Sequence, residues 1–329
     1  KPLKFAEGTR RFPARLSETG LFSSTKSMTP APGVIPYSVN VPLWSDGAVK
    51  QRYLAFPVSG QVGFSDTGSW TFPDGTVVLK SFSMDLKEND PDSRLLLETR
   101  ILVQTANGWE GYTYVWNEDQ EDAFLIDASM TMPLDMESTG EDVQRNWYFP
   151  SRADCQSCHT QAGGFALSVT TRQLNRLQQY ADGEQNQLER LESLGIFREP
   201  LPKRPAELDQ YPSWESDTSP TEGLARAYLD VNCAFCHSPG GPGNSPIDLR
   251  FHTPLNQTSL IGLAPRGSRI TGSPATAIVQ PGRPEDSDLF RRMELRGPGQ
   301  MPTLASFIKD ARATELIADW IYSLPPGAR

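Results

Sequence analysis

Hydrophobic and polar positions alternate over short runs in the first 150 residues, and turn residues separate the runs. The segments TVVLKSF (76–82) and TRILVQT (99–105) are rich in β-branched and apolar side chains, which favour strands. Asn107-Gly108 follows the second segment and is a hairpin turn signal, and PDG at 73–75 marks a further turn. This part of the chain is predicted to form an antiparallel β domain of the sandwich or barrel type.

Beyond residue 150 the apolar residues recur at spacings of three and four, which is typical of helices. TRQLNRLQQYA and EQNQLERLESLGIF predict two short helices before a proline-rich linker at 200–214. A capping box at 219–222, with Pro220 at the first helical position, predicts a further helix, and ATELIADWIYSL predicts the last one. The chain therefore changes from strands to helices near residue 150.

Composition and charge narrow the classes of partner. The 329 residues carry 40 acidic and 31 basic side chains, a net charge of −9, which disfavours nucleic acid and suits a partner with a basic face. No apolar run approaches the roughly 18 residues that a membrane span needs. The start, KPLKFAEGTRRF, lacks the apolar core of a signal peptide, so we expect a mature chain without a membrane span.

All four cysteines belong to two copies of one motif, DCQSCH and NCAFCH, and each copy ends in a histidine. Two cysteines three residues apart on a helical turn can form thioethers with one haem, and the next histidine can bind its iron. Zinc is the alternative for such cysteine pairs, but zinc gives no reason for the two histidines. We therefore predict two covalently bound c-type haems, with attachment residues Cys155, Cys158, His159, Cys233, Cys236 and His237.

These motifs complete the predicted architecture. We expect an α+β fold in which an N-terminal antiparallel β domain (1–150) precedes two α-helical cytochrome c-like haem units (151–212 and 213–329). For the second haem, Met301 in the loop GPGQMPTL is the predicted sixth ligand, because it lies between the two helices that bracket this unit. Met293 is the alternative, although its helical pattern favours core packing.

The sixth ligand of the first haem stays open, because no methionine occurs between Cys158 and the linker. An open or weakly ligated iron would admit small molecules, and the N-terminal β half is expected to cover part of this haem. The residues considered for this position are Met130, Met132, Met136, His252, Lys80 and Tyr114.

Several segments resemble a family of bacterial two-haem c-type cytochromes with a β-rich N-terminal half. They include PYSVNVPLWSDGAVKQR, FPDGTVVLKSF, LETRILV, TRQLNR, ARAYLDVNCAFCH, VQPGRPEDSDLFRRM and GQMP. Similar segments are associated with quinoprotein-type dehydrogenases. The resemblance implies the haem sites, Met301 ligation, a periplasmic or extracellular location and electron transfer with a redox partner.

Two functional hypotheses remain at this point. The first is electron transfer between a redox partner, possibly a dehydrogenase, and a further acceptor, with the β domain as a possible docking surface. The second is a di-haem oxidoreductase of the peroxidase or oxygenase kind, in which the first haem has an open or displaceable site and the second haem feeds it electrons. No catalytic acid or base can be assigned from the spacing of residues.

Overall fold

The fold is described from a computed structural model over residues 12–88, 90–138, 141–216, 218–265, 275 and 277–326. The chain divides into two compact units, each built from three segments. Unit 1 comprises Lys1–Val39, Ala48–Ser157 and Val169–Gln210, and unit 2 comprises Asn40–Gly47, Cys158–Ser168 and Tyr211–Arg329.

Unit 1 is built on a six-stranded antiparallel sheet with strand order β3-β4-β5-β6-β7-β8. Its central strands contain the predicted runs 76–82 and 99–105, so the strands expected there are confirmed. Thr105 pairs with Gly108, which makes Ala106-Asn107 the hairpin loop. The strands are β3 (Val34–Tyr37), β4 (Val49–Ala55), β5 (Val77–Asp85), β6 (Arg94–Thr105), β7 (Gly108–Trp116) and β8 (Ala123–Leu125).

The two faces of this sheet differ in chemistry. One face, called here the apolar face, carries Tyr53, Leu79, Ile101 and Tyr114 and packs on residues of the N-terminal segment such as Phe12. The opposite face carries a row of polar side chains, each directly across from the next: Arg52, Lys80, Arg100 and Thr113 on β4 to β7. We call it the charged face. One sheet therefore supports both a core and a polar surface, because side chains alternate along each strand.

Smaller elements complete unit 1. A hairpin of β9 (Met130–Ser138) and β10 (Glu141–Phe149) packs through Leu134 and Trp147 on Phe82 of β5. The remaining elements are the strands β1 (Phe22–Ser24), β2 (Thr29–Pro30), β11 (Leu177–Tyr180) and β12 (Gly183–Asn186), most of helix α1 (Arg152–Cys158), the helices α2 (Thr171–Leu174) and α3 (Gln187–Ser193), and 3₁₀ turns at Leu16–Thr19, Pro91–Ser93 and Pro205–Glu207.

Unit 2 is formed by three helices around a common core. Helix α4 (Thr221–Leu229) continues as a π-helical segment (Asp230–Ala234), and α5 (Asp288–Glu294) and α6 (Ala311–Ser323) follow. The helices predicted after 219 and over ATELIADWIYSL are confirmed, but the predicted capping box is not formed, because Pro220 is itself the N-cap and no side chain caps α4. The core holds Tyr228, Leu229, Met293, Ile317, Trp320 and Ile321. Short 3₁₀ turns lie at Leu255–Gln257 and Pro284–Asp286.

The prediction of two α-helical cytochrome c-like haem units is wrong. The structure is 28% strand and 23% helix, with a large antiparallel sheet and no such pair of helical units. The segment TRQLNRLQQYA forms only the four-residue α2 and then β11. The side chain of Gln187 donates to the carbonyl of Leu174 (3.1 Å) and ends the helix there. The turn beside Asp182-Gly183 then begins a hairpin that the helical spacing concealed.

No helix in the described part of the chain combines the length and the apolar composition that a membrane crossing requires.

Candidate haem attachment sites

The first motif lies on helix α1, which places Cys155 and Cys158 three residues apart on one helical turn. The start of this helix is fixed by Asp154, whose carboxylate accepts hydrogen bonds from the backbone and hydroxyl of Ser151 and from Tyr148 (2.8 Å each). The charge-assisted hydrogen bonds stabilise the ionised form and lower the pKa of Asp154 against the opposing effect of burial. The cysteine spacing is thus held by local contacts.

Cys155 packs against a strand of the sheet. A Cβ at Gly111 of β7 would lie 2.7 Å from Cβ and 3.0 Å from Sγ of Cys155. Only glycine leaves room for the cysteine at this distance. Cys155 and Gly111 both belong to unit 1, so the sheet determines the position of the first attachment cysteine.

Gly111→Ala is expected to displace Cys155 and to reduce the fraction of chains that carry a haem at the first motif. The added methyl group has no space beside Cys155, and the helix must move by several tenths of an ångström. Mass spectrometry of proteolytic peptides, after expression with haem attachment, measures the fraction for each motif. Full attachment at both motifs would contradict the close contact. Gly108→Ala, which has φ +104° and no atom within 4 Å, is the control: it strains the end of β7 without touching Cys155 and should leave attachment unchanged.

His159 is oriented by a backbone carbonyl. Its Nδ1 lies 2.5 Å from the carbonyl oxygen of Phe165, and because that oxygen only accepts, Nδ1 carries the proton. In the neutral ring Nε2 is then the nitrogen that bears the lone pair, as an iron ligand requires. Phe165 adopts φ +57°, so a strained loop residue supplies the acceptor.

The second motif begins at the end of helix α4, in the π-helical segment. Asn232 joins this segment to the rest of unit 2: it accepts a hydrogen bond from the backbone of Trp44 (2.7 Å) and donates to the carbonyl of Tyr228 (3.1 Å). The backbone of His237 donates to the carbonyl of Cys233 (2.8 Å). Burial raises the pKa of the Cys233 thiol to about 12, so this sulfur is protonated at neutral pH.

His237 lies in a tight backbone cradle. A Cβ at Gly243 would lie 2.7 Å from its Nδ1 and 2.9 Å from its Cε1. Within the described chain Nδ1 is buried and makes no hydrogen bond. Burial and the nearby charge of Arg292 lower the pKa of His237, which keeps the ring neutral and able to bind a metal.

Met301 lies in a loop that also contacts Arg292. The Met301 backbone donates to the carbonyl of Arg292 (2.9 Å), the residue whose charge acts on His237. Gln300 fixes the loop from within by donating to the carbonyls of Pro302 (2.8 Å) and Ser306 (2.9 Å). Met301 is partly buried, as a loop methionine directed toward the second motif would be. The alternative ligand, Met293, is instead 7% exposed in the core of unit 2.

Asp46 anchors the end of the Met301 loop. Its buried carboxylate accepts hydrogen bonds from the backbones of Phe307 (2.8 Å) and Ile308 (3.1 Å) and from the hydroxyl of Ser306 (3.3 Å). Burial raises the pKa of Asp46, and these hydrogen bonds oppose the increase. Trp44 adds a bond from its indole nitrogen to the carbonyl of Ile308 (2.9 Å). Sequence analysis missed this anchor, since nothing near residue 46 identifies a partner so distant along the chain.

The end of the first motif packs on the second motif within unit 2. The side chain of Cys158 hydrogen bonds to Cys236 and lowers the pKa of the Cys236 thiol. A Cβ at Gly163, just after the first motif, would lie 3.1 Å from Cβ of Phe235, which lies between the cysteines of the second. Unit 2 therefore brings Cys158 close to Cys236.

The residues considered for the sixth position of the first haem have varied surroundings. Met136 is buried in the cluster beneath the β9–β10 hairpin, Met132 packs against that cluster, and Met130 is 43% exposed. The Tyr114 hydroxyl donates to the carbonyl of Pro13 (2.7 Å) on the apolar face. The two remaining candidates are Lys80, on the charged face, and His252, in an exposed turn of unit 2.

Within the described ranges, no group of three or more His, Cys, Asp or Glu side chains is arranged to hold a metal ion. The four cysteines therefore do not form one tetrahedral site there. Comparison of the chain with protein-family models, curated proteins and solved structures finds no match. The function must therefore be inferred from the residues and geometry of this chain.

Proposed function

We propose that the protein is a two-haem c-type cytochrome that transfers electrons, outside the cytoplasm, between a redox partner and a further acceptor. The observation that carries the proposal is the packing of the two motifs, with Cys158 hydrogen bonded to Cys236. Covalent attachment at neighbouring motifs keeps two redox centres close together. Such proximity supports electron transfer through a single chain.

The residues present fit the haem group in three respects. The cysteines of the first motif lie on one helical turn, Nδ1 of His159 donates to a carbonyl so that its neutral ring bears the lone pair on Nε2, and Gly243 leaves His237 a close-fitting cradle. Haem iron supplies one-electron chemistry when bound. The cysteines would attach the haems, His159 and His237 would bind iron, and Met301 would exclude water at the second motif.

The two histidines differ in ways that affect the reduction potential of a haem bound to each. Nδ1 of His159 donates to the Phe165 carbonyl, which makes its ring a more electron-rich ligand, whereas Nδ1 of His237 makes no hydrogen bond within the described chain. Arg292 also places a positive charge near His237. Both differences favour the lower potential at the first motif, so electrons would pass from the first to the second.

The charge of the chain supports a protein partner. A net charge of −9 favours encounter with a redox protein that has a basic docking face, and it makes the rate of encounter depend on ionic strength. We propose a dissociable partner of this kind.

Intact mass tests the cofactor assignment. Each thiol adds across a vinyl group without a leaving group, so the chain is expected to gain the full mass of two haems. Cys155→Ala/Cys158→Ala and Cys233→Ala/Cys236→Ala should each remove one haem and leave the other. An unmodified mass, or bound zinc instead of haem, would refute the proposal. High-spin iron that binds cyanide at one motif would favour the di-haem enzyme over the carrier.

A further inference from the structure

The charged face of the sheet gathers cationic side chains in one row. Arg52, Lys80 and Arg100 are cross-strand neighbours on β4, β5 and β6, and Thr113 follows on β7. Two carboxylates act on Arg100: Glu98, which is fully buried and accepts from it at 2.5 Å, and Asp154. Like charges directly opposite each other destabilise a sheet, so this row costs stability unless something neutralises it.

Lys80 and Arg52 are the side chains whose charged forms this row destabilises. Desolvation, followed by neighbouring cations, lowers the pKa of Lys80 well below its ordinary value. Desolvation also lowers the pKa of Arg52, and the charges that act most on it next are those of Tyr37 and Arg176, neither of which is a carboxylate. Nε of Arg52 and Oγ1 of Thr113 are buried without a hydrogen bond to the described chain. An anion here would gain two basic side chains, Lys80 and Arg52, and two polar atoms as binding partners, and its charge would favour the protonated form of Lys80.

The adjoining part of the same face is apolar and lacks a side chain at its centre. Gly111 is two residues from Thr113 on β7 and contacts Cys155, and Trp109 lies two residues further, stacked edge to face on Phe72 at 5.4 Å. With about 4.8 Å between strands and 3.4 Å per residue, the backbone at Lys80 lies about 12 Å from Gly111. The face therefore offers an apolar surface at one end and cations at the other.

We propose that this face binds the carboxylates of a planar, apolar ligand that lies over Gly111, with Lys80 and Arg52 as the binding cations. A haem attached at Cys155 has this form, because its propionates lie on the edge opposite the vinyl groups. Haem as the source of the carboxylates rests on the proposed function. A free organic anion would use the same cations in a chain that carries no haem. The shared chemistry is carboxylate recognition by a buried ammonium and guanidinium.

The first experiment uses the full chain with Cys155→Ala/Cys158→Ala, which leaves the face without an attached haem, and malonate as the probe. Malonate is expected to raise the Tm, and Lys80→Met should abolish that shift while raising the Tm in the absence of malonate. The rise in Tm without malonate follows because methionine replaces an amino group that is desolvated among neighbouring cations with an apolar chain of similar length. A Tm that falls on Lys80→Met would show a structural role and overturn the proposal.

The second experiment uses the haem-loaded chain and measures both midpoint potentials. Lys80→Met should shift the potential of the first haem to more negative values, since removal of a nearby positive charge disfavours reduction, and should leave the second unchanged. Lys87→Met is the matched control, because Lys87 pairs with Glu137 at an exposed site of the same unit. The control should alter neither potential nor the response to malonate.

The two experiments separate the possible outcomes. A shifted potential identifies the propionates as the ligand. An unshifted potential with a malonate response that Lys80→Met removes identifies a free organic anion instead. If the chain carries no haem, the proposed function is refuted. The malonate response by itself then decides whether this face binds carboxylates. The inference is overturned if malonate does not raise the Tm and Lys80→Met does not shift the potential of the first haem.

Discussion

Asp46→Ala is expected to release the Met301 loop and to destabilise unit 2 by about 3–5 kcal/mol, because the backbones of Phe307 and Ile308 and the Ser306 hydroxyl lose a buried acceptor. In the haem-loaded protein the methionine–iron absorption feature should disappear and the potential of the second haem should fall. Denaturant unfolding and a redox titration measure the two effects. The same spectral change without the loss of stability is expected for Met301→Ala.

Asp122→Ala is the matched control for this substitution. Asp122 also accepts three hydrogen bonds, from the backbone (3.0 Å) and hydroxyl (2.6 Å) of Ser17 and from the backbone of Ala123 (2.9 Å), but it belongs to unit 1. The control should reduce stability while the methionine–iron feature persists. If Asp46→Ala retains that feature, Asp46 does not position the ligand, and the contacts of Gln300 and Arg292 hold Met301 without it.

Gly243→Ala is expected to displace the His237 ring and to cost about 1–3 kcal/mol of unfolding free energy, as overpacking of a tight site does. The new methyl group would meet Nδ1 of His237 at 2.7 Å and the carbonyl of Cys236 at the same distance. In the ferric protein, a weakened histidine–iron bond should give a high-spin signal from one haem. Electron paramagnetic resonance and chemical denaturation measure these changes.

Gly223→Ala provides the comparison within the same unit. Its Cβ would meet Cγ of Pro212 at 3.4 Å, an ordinary contact, and alanine suits helix α4 better than glycine. This control should be as stable as the original chain or slightly more so, with both haems unchanged. If Gly243→Ala and Gly223→Ala have the same stability and spectra, the backbone around His237 shifts to accept the added methyl group without cost.

The elements that could be predicted from sequence depend on short-range pattern. The β-branched run at 76–82 and the capping signal near Pro220 are properties of a few adjacent residues, and the structure has β5 and α4 there. The same reasoning failed for TRQLNRLQQYA, because the carbonyl of Leu174 accepts from the backbone of Arg176 and the side chain of Gln187 rather than from a continued helix. Tertiary contacts override a helical spacing when they satisfy the backbone first.

At the candidate sites too, features set by adjacent residues could be predicted from sequence, and features set by distant contacts could not. Each motif is six residues long, so its cysteines and histidine could be proposed as haem attachment residues from the sequence alone. The glycines that make room for them could not, since Gly111 is 44 positions from Cys155 and looks like any strand glycine. The row on the charged face could not be predicted either. Lys80 in TVVLKSF looks like an exposed strand lysine, and only the strand register places it opposite Arg52 and Arg100.

The segment Asn40–Gly47 has a consequence for how unit 2 reaches its native state. Asp46 and Ile308 are 262 positions apart in the chain, so their hydrogen bond closes a loop that contains most of the protein. Contacts of such high sequence separation form late, because loop-closure entropy must be overcome before they stabilise anything. A nascent chain therefore holds Asn40–Gly47 without its partner until Ile308 has been synthesised. A fragment that begins at Tyr211 would lack Asp46, which accepts the hydrogen bonds at the end of the Met301 loop. Complementation of that fragment by a peptide spanning Asn40–Gly47 would restore the missing contact in trans.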